Sequence, residues 1–441
     1  MPTSRYAVLF SRTSRPHSNF SKYFQKIPSK KFGSFIKNAV LCCVKNTQIN
    51  NQNINAMIIN YITDNDLYKF TMQYAVVSLF PLSKVRYKFI NRGADNFPEG
   101  FAARLQDEVN AMSQLRLTDD EYKFMAQKCY YLPPSYLDFL AAYRFDPNEV
   151  KISQQGGHLE IAIEGYWYKT ILWEVPLMAI ISELYFKMTG QPGNSAAQNA
   201  TVTAQKADLY QNLGIKVADF GTRRRFSYDN HDQVVGVLNN YRDTFVGTSN
   251  VYLAMKYDTV PIGTHAHEWF MFHAAQFGYK YANRASLENW VKIYRGDLGI
   301  ALSDTFTTPV FFRDFDTLFA KLFDGVRHDS GDPLEFADKT IAHYKRLRIN
   351  PLSKTIVFSD ALNPQMVEKI TEYCKGKIGM SFGIGTNFTN DVGVKPLNMV
   401  IKLSHVLTGD RWTQVVKLSD TPGKHTGNDE IVGRIMSELG I

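Results

Sequence analysis

The stretch GVRHDSGDP (Gly325–Pro333), followed by a helical run and then by TIVFSDAL (Thr355–Leu362), decides the fold. Each quoted piece opens on apolar residues that suit a strand and ends in a cluster of polar groups. Strand, polar tip, helix, strand is the unit of an α/β domain. In such a domain functional groups collect at the C-terminal ends of the strands.

The same unit extends in both directions. KVADFGTRR (Lys216–Arg224), TFVGTSNVYLAM (Thr244–Met255), VPIGTHAHEWF (Val260–Phe270), LGIALSDTF (Leu298–Phe306) and MSFGIGTNF (Met380–Phe388) repeat it. Residues 187–394 therefore read as an α/β barrel with its site at the strand tips. Residues 57–186 have a different texture and read as a separate N-terminal α/β domain. DNDLYKFTMQYAVVSLF (Asp64–Phe80) carries apolar residues at helical spacing, with Asp64 or Asp66 as its cap. KVRYKFINR (Lys84–Arg92) alternates as a strand does, and residues 101–143 look helical with a break at Pro133-Pro134. HLEIAIEGYWYKTILWEVP (His158–Pro176) reads as strands, and Pro176 suits the first turn of the apolar helix that follows. Residues 395–441 form a C-terminal segment expected to return to the first domain.

Length and composition agree with this division. A chain of 441 residues, 44% hydrophobic and 21% charged, suits two to three globular domains. No run approaches ~18 consecutive apolar residues, so no membrane span is expected. The formal charge of +8 is local: residues 1–56 hold nine Lys/Arg and no Asp or Glu, against 41 basic and 42 acidic residues in the remainder. A near-neutral body gives no nucleic-acid footprint. Residues 1–56 read as a disordered extension or as sequence upstream of the true start, in preference to a targeting peptide. Two of the four cysteines, Cys42 and Cys43, lie there; Cys129 and Cys374 are too far apart in sequence to suggest a disulfide framework or a zinc site. A reducing, cytoplasmic setting is the simplest expectation.

The strand tips carry the chemistry. Arg223, Arg224 and Arg225 in FGTRRR could grip an anion or form a solvated basic turn. Thr248 and Ser249 in GTSN could hold phosphate oxygens or cap a helix. In RHDSGDP, Arg327 could face an anion, while Asp329 and Asp332 could bind Mg²⁺ or ribose hydroxyls, or simply close an Asx turn. FGIGTNF could cradle a phosphate, but Phe388 stands where a dinucleotide fingerprint needs its third glycine. Tyr68 is either core or a stacking surface for an aromatic ligand.

GTHAHEWF (Gly263–Phe270) sets two histidines two residues apart at a strand-to-helix junction. One ring should face the site and the other should pack away. A zinc HExxH motif fails, because Met271 occupies the second ligand position. An HxH metal pair would need further ligands, and His273, His328 and His343 make no convincing ligand pattern. A helix start keeps an imidazole neutral and stabilises a phosphate attached to it, which suits a nucleophile. Thr264 or Glu268 could orient the ring.

Taken together, NDLYKFTM, FGTRRR, FVGTSNVYLA, GTHAHEWF, ALSDTF, GVRHDSGDP, FSDA and FGIGT resemble the nicotinate phosphoribosyltransferase family, over about Met57 to Leu403. The resemblance implies the irregular α/β barrel of type II phosphoribosyltransferases with an open α/β sandwich domain, assembled as a homodimer. It implies that nicotinate and 5-phosphoribosyl 1-diphosphate give nicotinate mononucleotide and diphosphate in NAD salvage, with Mg²⁺ and with ATP as co-substrate. It implies that His267, and not His265, carries a phosphoryl group. Tyr68 would cover the nicotinate ring, and Arg223, Arg224 or Arg327 would pair with anionic groups. Asp304 and Asp329 would contact ribose hydroxyls or Mg²⁺; no residue is firmly assigned to the metal. Thr248, Ser249, Ser359, Gly383, Gly385 and Thr386 would hold phosphate. The rival readings are a nicotinamide-specific relative, a metal-dependent barrel hydrolase using His265 and His267, and a nucleic-acid-binding protein using the basic extension.

Overall fold

The structure is a computed structural model that describes residues 57–441. The readings made of residues 1–56 lie outside the described residues.

Two sheets organise the described residues. In the first, β1 (Lys84–Asn91), β2 (Val150–Gln155) and β3 (His158–Tyr166) pair antiparallel in the order β1-β3-β2. The hairpin β2–β3 shows the strict alternation of a half-covered sheet: Leu159, Ile161 and Ile163 are buried while their neighbours along the strand face outward.

The second sheet is parallel. It contains β4 (Val217–Asp219), β5 (Phe245–Thr248), β7 (Ile300–Leu302), β8 (Gly325–His328), β9 (Thr355–Phe358) and β10 (Gly379–Ile384). Its order is β5-β4-β10-β9-β8-β7, and a short strand β6 (Arg295–Leu298) belongs to neither sheet. These strands are short and buried on both faces, hence their continuous apolar runs. Val326, Ile356, Phe358 and Phe382 fill the interior, and the Phe358 and Phe382 rings stack at 5.8 Å.

An irregular segment, Val260–Thr264, closes the ring between β5 and β7. Its Ile262 N–H donates to Thr248 O (2.8 Å), and Val260 O accepts from Thr248 N–H (3.2 Å). On the other side the Thr264 hydroxyl donates to Ile300 O (3.2 Å). Gly247 permits this close approach: its φ is 144°, and a Cβ there would lie 2.0 Å from Val260 O. The result is an irregular barrel whose staves follow one another in chain order.

The last two strands join the first sheet. β11 (Met399–Thr408) lies between β12 (Arg411–Gln414) and β1, giving the order β12-β11-β1-β3-β2. Val85 pairs with Val406 across 321 residues of chain.

One sequence expectation fails locally. The run from His158 to Pro176 is not strand throughout: β3 ends at Tyr166, and Trp167–Thr170 forms a helical turn that leads to helix α2 (Glu174–Thr189). Trp167, Ile171, Leu172 and Trp173 are all buried, whereas a half-covered strand would expose alternate residues. Trp167 stacks on Phe272 at 4.0 Å, so tertiary packing overrides the aromatic preference for strand. Asp66 does occupy the cap position of helix α1 (Leu67–Leu79), but it makes no side-chain cap bond and instead accepts from the Ser249 hydroxyl (2.7 Å). No helix of the described residues is long and apolar enough to cross a membrane.

Candidate active site

The barrel tips converge on His267. It is the first residue of helix α3 (His267–Phe277), with Ala266 as an extended cap residue. At that position free backbone N–H groups surround the ring. His267 Nδ1 lies 3.1 Å from Thr305 Oγ1. Nε2 lies 2.9 Å from Asp329 Oδ2 and 3.0 Å from the Lys417 ammonium. Lys417 also donates to Asp304 Oδ2 (2.9 Å), and Asp304 Oδ1 lies 3.7 Å from Nε2.

Neighbouring tips fix both carboxylates. Ser330 donates to Asp304 Oδ2 (2.5 Å). Asp329 Oδ1 accepts from Ser359 Oγ (2.8 Å) and pairs with Arg327 Nη2 (3.2 Å). β7, β8 and β9 are adjacent in the sheet, so their tips must meet. Burial, reinforced by Lys417, pushes the His267 imidazole down to about 4. Burial would raise Asp304, but the His267 ring and the Lys417 ammonium outweigh it and bring its carboxyl to about 2. Burial opposes ionisation of Asp329 as well, yet the Arg327 guanidinium and His267 hold it well below the usual carboxylate range. At neutral pH the cluster is two carboxylates, one ammonium and a neutral imidazole.

The two histidines separate as a strand-to-helix junction requires. His265 is buried edge-on against Trp290 (4.7 Å) and Phe270 (5.3 Å), and burial lowers its pKa to about 3. The expected ring-orienting groups are different ones. Thr264 gives its hydroxyl to Ile300 O, and Glu268 turns to Lys69, Tyr87 and Trp167. Thr305, Asp329 and Lys417 hold the His267 ring instead. A residue next to histidine on a helix points about 100° away, so Glu268 cannot share its face.

The other candidate residues fall into three groups. His267, Asp304, Asp329, Arg327 and Ser359 form one hydrogen-bonded cluster. Arg223 lies 3.8 Å from Glu174, and the half-buried Tyr68, whose buried hydroxyl has no hydrogen-bond partner, has Glu174 and Arg223 as charged neighbours. Burial and the positive charge of Arg223 and Arg92 push Arg224 down to about 10, an environment that an anion would relieve. The third group is committed elsewhere. Thr248 donates to Asp219 Oδ2 (2.6 Å), Ser249 to Asp66, and Arg225 makes a bidentate pair with Asp64 (2.7 and 2.8 Å). Asp332 caps the helix Pro333–Arg346 by accepting from Leu334 and Glu335 N–H, which is the turn reading. Gly383 makes room for Phe220, whose ring lies 2.2 Å from where a Cβ would be. Gly385 precedes a four-residue helical turn that Thr386 opens.

Sequence reasoning missed Lys417, Thr305, Lys402 and Arg92. Burial, Lys417 and Arg92 together push the Lys402 ammonium down to about 7. Both lysines come from the C-terminal segment, where no strand-tip pattern announces them. The one available signal is a lysine set among apolar residues, VVKL at 415–418.

A barrel mouth with two fixed carboxylates, a neutral histidine at a helix start and closely spaced cations defines an enzyme for anionic, phosphorylated substrates. Comparison with known proteins agrees. Residues 215–439 match the nicotinate phosphoribosyltransferase (NAPRTase) family, and residues 63–182 match its N-terminal domain. A nicotinate phosphoribosyltransferase of Chromohalobacter salexigens is 57% identical over 85% of this chain and 97% of its own length. One of Desulforapulum autotrophicum is 52% identical over 87% of this chain and 99% of its own length. The crystal structure of the Porphyromonas gingivalis nicotinate phosphoribosyltransferase superposes with a TM-score of 0.85 at 46% identity, covering 87% of this chain and 100% of that one. The chain belongs to the nicotinate phosphoribosyltransferase family.

Proposed function

We propose that this enzyme joins nicotinate to 5-phosphoribosyl 1-diphosphate, releasing nicotinate mononucleotide and diphosphate for NAD salvage, and that ATP drives the reaction through a phosphoryl group on His267. The observation that carries the second part is the environment of Nε2: a neutral ring at a helix start, next to a lysine and two carboxylates. With Nδ1–H donated to Thr305, the Nε2 lone pair accepts from the Lys417 ammonium; once Lys417 turns to the phosphate oxygens of ATP, the freed lone pair attacks the terminal phosphorus as ADP departs. The Lys417 ammonium and the helix N–H groups then face the bound phosphoryl oxygens.

In the transfer step the nicotinate ring nitrogen attacks C1 of the ribose and the bond to diphosphate breaks. This chain's part is positioning and electrostatics. Tyr68 covers the flat ring, and Arg223, Arg224 or Arg327 holds the carboxylate. Ser359, Gly383, Gly385 and Thr386 lie at tips suited to the 5-phosphate. Asp304 and Asp329 fit a magnesium ion: with His267 they offer ligand atoms within 4.8 Å of one another, and Asp304 Oδ1 is buried without a hydrogen-bond partner. Bound there, Mg²⁺ neutralises diphosphate oxygens. A homodimer, implied by the family resemblance, and a cytoplasmic location, supported by the free Cys129 and Cys374, complete the reading.

The test is product analysis. The protein is incubated with the ribosyl diphosphate and either nicotinate or nicotinamide, with and without ATP, and nucleotides are separated by chromatography. Nicotinate mononucleotide should form, faster with ATP, and nicotinamide should give little product. No mononucleotide from nicotinate under either condition would sink the reading.

A further inference from the structure

A buried chain of alternating charges runs behind the site, away from the substrate mouth. Glu268, next to His267, is 5% exposed and accepts from the Lys69 ammonium, the Tyr87 hydroxyl (2.9 Å) and the Trp167 indole N–H (3.0 Å). Lys69, fully buried on α1, pairs at the same time with Glu174, the first residue of α2. Glu174 reaches Arg223 at the tip of β4 (3.8 Å), and the Arg223 side chain is 41% exposed. The order is Glu268, Lys69, Glu174, Arg223. It links the first turn of the histidine helix to an arginine at the barrel mouth.

We propose that Lys69, Glu174 and Glu268 are positioning residues that couple anion binding at Arg223 to the setting of His267. This rests on His267 being the phosphoryl acceptor. The physical basis is charge balance. Two buried carboxylates share one ammonium, and Arg223 supplies the fourth charge that makes the chain neutral. An anionic substrate that engages Arg223 draws on the cation Glu174 leans on. Glu174 then competes harder for Lys69, and Glu268 is the carboxylate that yields. Tyr87 and Trp167 hold the other oxygen of the Glu268 carboxylate, so a change in its pairing with Lys69 is passed on to the helix turn that carries His267. Coupling of this kind is reciprocal, so a phosphoryl group on His267 alters anion affinity at Arg223 by the same factor.

Glu268→Gln tests the link with the least disturbance, since it removes one charge and leaves the Lys69–Glu174 pair intact. Three quantities are measured on the full chain: acid-labile phosphoenzyme from labelled ATP, ATP-independent transfer, and the factor by which ATP changes KM for nicotinate and the ribosyl diphosphate, expected to be a decrease; an unchanged KM in the wild-type protein overturns the coupling. Glu268→Gln should retain phosphoenzyme and ATP-independent transfer within about threefold, while the ATP effect on KM shrinks roughly tenfold. Glu174→Gln is the second variant, should Glu268→Gln fail to fold, and the same loss of ATP effect is expected. Lys69→Arg, which keeps a cation between both carboxylates, should retain most of the effect. An undiminished ATP effect in a folded Glu268→Gln or Glu174→Gln variant overturns the coupling while leaving the phosphohistidine intact. Absence of phosphoenzyme in the wild-type protein overturns the phosphohistidine, and the coupling with it.

Discussion

Burial, reinforced by the Lys417 ammonium, pushes the His267 imidazole down to about 4, below the ordinary 6.5 of a surface histidine. The depressed value means the ring stays neutral as pH falls through 6.5 and gains its proton only near 4. An NMR titration of the His267 ring nitrogens should therefore show no midpoint between pH 5 and 8 and protonation only as pH approaches about 4. A midpoint near 6.5 would mean that the acceptor is a solvated histidine. His267→Asn should abolish the acid-labile phosphate, whereas His265→Asn should retain it, because His265 packs against Trp290 and Phe270. At this scale the sequence separated the two rings, since residues i and i+2 diverge where a strand passes into a helix; the choice of His267 over His265 came from the family resemblance and not from the spacing. It was silent about Lys417, because a lysine 150 residues downstream of His267 meets it only through the tertiary fold.

At the scale of elements, tip chemistry was legible because each barrel strand ends in polar residues just where its apolar run stops. What those polar groups do was less legible. Thr248, Ser249 and Asp332 had an ordinary structural use on offer, and their side chains take it. Local sequence cannot tell a hydroxyl aimed at a ligand from one aimed at a neighbouring aspartate. The strands themselves impose hard steric demands, and the one at Gly325 is tighter than that at Gly247. Gly325 opens β8 against β9, where a Cβ would lie 1.8 Å from the Thr355 carbonyl oxygen. That neighbour is backbone in a paired strand and cannot swing aside. Gly325→Ala should cost about 3 kcal/mol, the upper range for overpacking, as read by urea unfolding. It should also weaken substrate binding, since Arg327, Asp329 and Ser359 sit directly above the disturbed pairing. Unchanged unfolding would mean that β8 and β9 are further apart than described.

For the whole molecule, the sequence reads as two textures, and the described residues hold two sheets, one antiparallel and one parallel. One stave departs from its reading: VPIGT reads as a strand like the others, but Val260–Thr264 is an irregular segment held by two backbone hydrogen bonds, one side-chain bond and an isolated bridge at Pro261, which has no N–H to give to a ladder. The basic extension, residues 1–56, precedes the family match. The Chromohalobacter relative is matched over 97% of its length by 85% of this chain, and the family's N-terminal domain begins to match at residue 63. A chain starting at Met57 should therefore keep transferase activity within about twofold of the full chain; the principle is that activity follows the residues of the site. Loss of all activity on that deletion, with folding intact by circular dichroism, would assign the extension a role in catalysis.

The place of β11 beside β1 has a consequence for biosynthesis. Its partner β1 emerges from the ribosome more than three hundred residues before it, since Val85 pairs with Val406. Until then one edge of β1 has no strand to pair with, an open template of the kind that promotes misassembly. Lys417, which touches both His267 and Asp304, arrives later still. The nascent chain thus passes through most of its translation with a barrel that can begin to form and a catalytic cluster that cannot, so no prematurely terminated product lacking this strand can have the complete site.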